Sequence, residues 1–159
     1  MGFQMSERSH TLNEQLKAFM QEHIYPREHD WQEFTLDQNN LWQVPPWFDD
    51  LRDKAKAAGL WNLFLPDEYK PWSPGLSNVE IAPLFETMSK VGWAQAGFNC
   101  YADRGNMEVL AKYGTPEQQK QWLEPLLAGD IRSAYAMTEP QVASSDATNM
   151  ELEIRRDGD

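Results

Sequence analysis

The segment Ala134 to Asp146 reads Ala-Tyr-Ala-Met-Thr-Glu-Pro-Gln-Val-Ala-Ser-Ser-Asp, and it gathers the side chains best suited to chemistry. The hydroxyls of Thr138, Ser144 and Ser145 can each donate and accept a hydrogen bond. A strand ending at Thr138 would present that hydroxyl and its backbone N–H groups at a sheet edge, where they can bond the polar rim of a bound group. The small side chains of Ala143, Ser144 and Ser145 let backbone approach such a group closely. Residue types alone allow a second reading, a plain turn, because Thr, Pro, Ser and Asp favour turns by bonding their own backbone. Glu139, which precedes a proline, reads as a structural hydrogen-bond acceptor rather than a base. Asp146 reads as a carboxylate that orders its loop by accepting nearby N–H groups.

The elements that must position this segment are helical first and extended later. Thr11 with Glu14 forms a capping pattern, and Leu12, Leu16, Phe19, Met20 and Ile24 recur at helical spacing until Pro26, which should stop the helix. A second helix is predicted from Pro45-Pro46 through Trp47, Leu51, Ala55 and Ala58 to a terminal Gly59. A loop from Pro66 to Gly75 follows. Ser77 and Glu80 then form a capping box for a third helix that buries Ile81, Leu84, Phe85 and Met88, with a kink or a 3₁₀ start expected at Pro83. Gly105 to Tyr113 reads as a fourth helix with Gly114 as its left-handed terminator. The fifth begins at Thr115-Pro116-Glu117-Gln118, takes Trp122, Leu123, Leu126 and Leu127 into the core, and ends at Gly129-Asp130.

Beyond Asp130, Ile131 to Met137 and Met150 to Arg155 read as strands, and Asp157-Gly158 signals a hairpin that needs a returning strand. The expectation is a mainly α chain, with a helical domain over residues 1–130 and the opening strands of an incomplete β domain over 131–159.

Composition removes several classes of function. A net charge of −11 with no cluster of Lys or Arg argues against nucleic acid and against an anionic membrane surface. No apolar run is long enough to span a bilayer, and no targeting signal is seen. Met1-Gly2-Phe3-Gln4-Met5-Ser6 matches the loose myristoylation pattern, too short a motif to be read as lipidation. The single cysteine, Cys100, cannot form an internal disulfide and reads as a small buried apolar residue. His10, His23 and His29 lack the spacing of a metal site, so no metal is expected. Trp47, Trp61 and Trp122 lie in apolar stretches and read as core rather than as base-stacking platforms.

The signature Tyr135-Ala136-Met137-Thr138-Glu139-Pro140 followed by Ser144-Ser145-Asp146 resembles that of the acyl-CoA dehydrogenase family. The likeness extends upstream through Gly59-Leu60-Trp61-Asn62-Leu63-Phe64-Leu65-Pro66, Gly105-Asn106-Met107-Glu108-Val109-Leu110, Tyr113-Gly114-Thr115-Pro116-Glu117-Gln118 and Trp122 to Gly129. Ala143 to Asn149, Ala-Ser-Ser-Asp-Ala-Thr-Asn, looks most like the subgroup of family members 10 and 11. Two departures stand out: Gln141 replaces the Asp usual in that subgroup, and Asn99 to Gly105 is shorter and differently composed, which touches the question of substrate class.

The resemblance implies FAD as cofactor, with Tyr135, Met137, Thr138, Ser144 and Ser145 lining it and Ser145 also near the acyl-CoA substrate. It implies oxidation of acyl-CoA to trans-2-enoyl-CoA, as in fatty acid β-oxidation. The catalytic glutamate is expected in a C-terminal helical domain absent from this sequence, so no catalytic residue is assigned here. Electron-transfer flavoprotein as partner, a homo-oligomeric state, and a cytoplasmic or organelle-matrix location are further implications. The 159-residue chain alone is expected to be inactive and not to retain FAD. The rival reading is a truncated, non-catalytic helical interaction module, and the gene sequence beyond Asp159 would discriminate the two.

Overall fold

Helix α1 (Glu7–Phe19) starts at Ser6, whose hydroxyl accepts the Ser9 N–H at 3.1 Å. This is earlier than the expected start at Thr11, whose hydroxyl instead donates back to the Glu7 carbonyl at 2.9 Å as a residue within the helix. The computed structural model describes residues 4–158, so Met1, Gly2 and Phe3 of the myristoylation-like motif lie outside the described residues. Nor does Pro26 stop the helix. The chain passes through a π turn at Met20–Ile24 and a 3₁₀ turn at Tyr25–Arg27, then resumes as α2 (Glu28–Leu36). Proline is tolerated there because it opens a new turn, where its missing N–H would have no partner. Helix α2 escaped the sequence reading because none of its residues is fully buried.

Helix α3 (Phe48–Ala57) starts three residues after Pro45, which with Pro46 and Trp47 forms a turn closed by the Phe48 N–H on the Pro45 carbonyl at 2.9 Å. Leu51 and Ala55 are buried as expected, while Ala58 is exposed. Gly59 ends the helix with φ +68°, a left-handed conformation that costs glycine nothing sterically. The connection to the next helix is closed by an isolated bridge between Pro66 and Leu76, the only strand-type pairing among the described residues.

Helix α4 (Asn78–Met88) carries the expected capping box, with Ser77 accepting the Glu80 N–H and Glu80 accepting the Ser77 N–H at 2.9 Å. It runs as continuous α-helix through Pro83, without the expected 3₁₀ start. The one carbonyl left without an N–H partner belongs to Val79, which faces solvent. Ile81, Leu84 and Met88 are buried, and Phe85 is half-buried against the core.

Helices α1 and α4 run in the same direction, since their polar contacts advance together. Ser6 donates to the Glu80 carboxylate at 2.7 Å, Ser9 to the Glu80 carbonyl at 2.7 Å, and Thr87 to the Asn13 amide oxygen at 2.7 Å. The hydrogen bonds from Ser6, and those of the Ser77 backbone and hydroxyl, hold the Glu80 carboxyl down at about 2. Its folded pKa lies below the ordinary value of about 4.3, so its contribution to stability is complete above that value and is lost as pH falls towards 2. Glu80→Gln should therefore flatten the acid limb of the stability profile in this window, followed by denaturant unfolding at each pH. An acid limb identical to that of the parent protein would contradict the assignment.

Helices α5 (Ala94–Gly97) and α6 (Arg104–Tyr113) complete the middle of the domain, and Trp93 stacks on Trp31 with centroids 4.9 Å apart while Trp47 meets both edge-on. Gly114 is extended (φ −68°, ψ 142°) rather than left-handed. It is needed for room, because a Cβ there would meet the Leu110 carbonyl oxygen.

Thr115 and Gln118 then form a capping box for α7 (Pro116–Gln118), which continues through a π turn at Gln119–Leu123 into α8 (Glu124–Ala128). Leu123, Leu126 and Leu127 are buried as expected, but Trp122 is 48% exposed. Leu123, Leu126 and Leu127, spaced at three and four residues, form the buried stripe, and Trp122 lies at its edge.

The expected strands at Ile131–Met137 and Met150–Arg155 do not form among the described residues. A strand exists only as half of a ladder, and no described segment pairs with either stretch. The mainly helical fold stands as expected.

Candidate functional site

The segment that carries the signature leaves the helical domain at Gly129. That residue takes φ +81°, and the Asp130 N–H returns to the Pro125 carbonyl at 2.9 Å to close α8. Two side chains reach in from loops to finish the same helix end. Asn62 donates to the Leu127 carbonyl at 2.8 Å, and Asn99 donates to the Leu126 carbonyl at 3.0 Å and to Asn62 itself at 2.8 Å. Trp61 adds a third donor to Leu127 at 2.7 Å. The last carbonyls of a helix have no partners within it, and here they are satisfied by the Gly129 and Asp130 N–H groups, by Trp61 and by two left-handed asparagines.

Past Gly129 the chain is gripped by the start of α6. Asp103 accepts the Ser133 N–H at 2.6 Å and the Ser133 hydroxyl at 2.7 Å through Oδ1, and the Arg132 Nε–H at 2.6 Å through Oδ2. Asn106 donates to the Ser133 hydroxyl oxygen at 2.8 Å. Asp103 is only 5% exposed. Burial alone would raise its pKa, but the Ser133 hydroxyl and N–H and the Arg132 guanidinium outweigh it and hold the carboxyl below its ordinary range.

Among the expected cofactor-lining residues, Tyr135 is 65% exposed and rests over Gly105, where a Cβ would collide with its hydroxyl. It helps to line a cavity of about 420 Å³ with Gln95, Tyr101, Ala102 and Arg104. A larger cavity, about 730 Å³ between α1 and the Gly59–Leu63 turn, shares no residue with the signature. Met137, Thr138 and Ser145 are also exposed. Ser144 is different: it is 3% exposed, and its hydroxyl accepts the Glu139 N–H at 3.0 Å. The loop thus folds back to bring Ser144 to Glu139, with Ser144 as its clasp.

Glu139 behaves as the structural acceptor expected of it, taking the N–H groups of Glu151 and Leu152 at 3.0 Å each. Asp146 orders its own turn, accepting the Thr148 hydroxyl at 2.7 Å and N–H at 3.0 Å, which lowers its pKa. Loop 139–152 is therefore tied to itself, while Tyr135, Met137, Thr138 and Ser145 are exposed.

The sequence reading missed Asp103, Asn106 and Gly105 as the residues that hold this segment. Asp103 stands at the N-cap of α6, and an Asp before a helix signals a cap. Its carboxylate makes no such bond and reaches residues 132 and 133 instead. Cys100 is fully buried, and burial pushes its thiol up to about 12, which leaves it inert as expected. No group of three or more His, Cys, Asp or Glu residues is placed to hold a metal, and no helix is long and apolar enough to cross a membrane, among the described residues.

Comparison with known proteins gives the same family throughout. A family model for the acyl-CoA dehydrogenase N-terminal domain matches residues 6–130. Acyl-CoA dehydrogenase family member 10 of Mus musculus is 51% identical over 150 residues, covering 92% of this chain and 14% of the mouse protein. Family member 11 of Homo sapiens is 51% identical over 148 residues, covering 91% of this chain and 18% of the human protein. A solved Mycobacterium abscessus structure assigned to the acyl-CoA dehydrogenases matches with a TM-score of 0.82 at 50% identity, covering 92% of this chain and 38% of that one. The chain spans well under half the length of each, and the resemblance to members 10 and 11 is borne out. With its helical core matched by the family model and its fold shared with a solved member, the chain belongs to the acyl-CoA dehydrogenase family and carries that family's N-terminal domain.

Proposed function

We propose that this chain forms the N-terminal part of an FAD-dependent enzyme that oxidises acyl-CoA to trans-2-enoyl-CoA, and that its 135–145 segment faces the flavin. The observation that carries the reading is the self-tied loop. Its internal needs are met by Ser144, Glu139 and Asp146, whereas the Thr138 hydroxyl and the N–H groups of Met137, Thr138 and Ser145 make no hydrogen bond among the described residues. This donor set suits the carbonyl-rich pyrimidine side of an isoalloxazine, with Met137 and Tyr135 supplying apolar and aromatic contact. Ser144 contributes by holding the turn rather than by direct contact. Ser145, next to it and exposed, is placed to reach pyrophosphate or the acyl-CoA.

When bound, the flavin supplies an acceptor for the hydride that leaves the β-carbon of the acyl group. The residues of this chain position and polarise; they do not take the α-proton. Glu139 is unsuited to that task because both carboxylate oxygens are engaged by backbone N–H groups. The base belongs to a C-terminal helical domain in this proposal. Electron-transfer flavoprotein as acceptor, a homo-oligomeric assembly, and a cytoplasmic or organelle-matrix setting are parts of the same proposal.

Thr138→Val in the complete protein keeps the side-chain shape and removes the hydroxyl. FAD binding should weaken by about one neutral hydrogen bond, roughly 0.5–1.5 kcal/mol, or the flavin potential should shift. Equilibrium titration of the apoprotein with FAD and a spectroelectrochemical potential measurement would show it. Unchanged affinity, spectrum and turnover together would rule out that contact.

A further inference from the structure

The start of α6 holds the signature segment at three successive places. Asp103 binds Arg132 and Ser133, Asn106 binds Ser133, and Gly105 makes room for Tyr135. Residues 132–135 make no ladder pairing among the described residues, and the contacts that hold them here are these side-chain ones. The grip is directional. Asp103 takes the Ser133 N–H and hydroxyl on one carboxylate oxygen and the Arg132 guanidinium on the other, which fixes both the position and the rotation of the backbone two residues before Tyr135.

An ordinary N-cap aspartate would have spent its carboxylate on the first turn of its own helix, and this one does not. Ser133 lies two residues before Tyr135 and five before Thr138, so a shift of the backbone at Ser133 is passed directly to the residues that follow it.

We propose that Asp103 is a positioning residue for the flavin: through Ser133 it sets the register in which Thr138 and its neighbours are presented to the cofactor. The inference rests on the reading of 135–145 as flavin-facing. It assigns to a carboxylate of the helical domain, thirty-five residues upstream of Thr138, a part in cofactor binding without direct contact.

The test is a double-mutant cycle in the complete protein, read as the FAD dissociation constant and the flavin visible spectrum, with the melting temperature of the apoprotein measured alongside. Asp103→Ala should raise the FAD dissociation constant about tenfold and shift the flavin absorption. In that background Thr138→Val should cost clearly less than in the parent protein, because a misplaced hydroxyl has little left to lose. Asp103→Asn retains an acceptor oxygen for the Ser133 N–H, should fold where the alanine variant fails, and should recover most of the affinity and the coupling.

A lowered melting temperature with unchanged FAD affinity, or affinity losses from Asp103 and Thr138 that simply add, would overturn the inference while leaving the flavin-facing reading in place. A Thr138→Val variant without effect on affinity, spectrum or coupling in any background would overturn both.

Discussion

Leu84→Ala is expected to destabilise the protein by about 2–5 kcal/mol. Leu84 is fully buried in the middle of α4, in the same apolar cluster as Leu16 of α1 and Met20 of the π turn that follows it. Removing its branched end leaves a cavity that two helices pinned by the Ser9–Glu80 and Asn13–Thr87 bonds cannot close by shifting together. Leu84→Met, which nearly conserves volume, should cost less than about 1.5 kcal/mol. Denaturant unfolding of both variants distinguishes the mechanisms. A small loss for alanine would show that the site collapses freely, contrary to the packing described.

Asn99→Ala should lose a comparable amount, about 2–5 kcal/mol, for different reasons. Asn99 is 8% exposed and adopts φ +55°, a conformation that costs an alanine roughly 1–2 kcal/mol. Its amide also donates to the Leu126 carbonyl at 3.0 Å, which keeps the Gly129 N–H, and to the Asn62 amide oxygen at 2.8 Å, and losing the two hydrogen bonds together costs about 1–3 kcal/mol. Asn99→Gly relieves the first cost and keeps the second, so it should recover about 1–2 kcal/mol relative to alanine. Equal stabilities for the two variants would show that backbone strain at this position is not what the asparagine serves. The site downstream feels this change, because Leu126 and Leu127 anchor the end of α8 from which Gly129 launches the signature segment.

What could be read from the sequence followed from local rules. Ser77 with Glu80 and Thr115 with Gln118 are capping boxes within four residues of chain, and Gly59 and Gly129 end helices as left-handed residues do. The structural parts of Glu139 and Asp146 also followed from residue type and immediate context.

What could not be read depends on partners far away in sequence. Ser6 rather than Thr11 starts α1, and the Ser6 hydroxyl also reaches Glu80, seventy-four residues on. Pro26 carries every local mark of a stop, yet Trp31 of the resumed helix is held by Trp93. Asp103 stands where a cap is expected, and nothing in its neighbourhood announces Ser133. The two strand readings failed for a related reason: alternation reports a half-buried strand only when a second strand is there to bury it, and Ile154 stands 90% exposed.

The central claim is that the 135–145 segment, tied from within by Ser144 and from below by Asp103, faces the flavin. Amide hydrogen exchange of the complete protein, with and without saturating FAD, tests it most directly. The account predicts strong protection on FAD binding in peptides spanning Tyr135 to Ser145, including the N–H groups of Met137, Thr138 and Ser145, with little change in α1 and α3. Saturable FAD binding that leaves those peptides exchanging at their cofactor-free rates would contradict it.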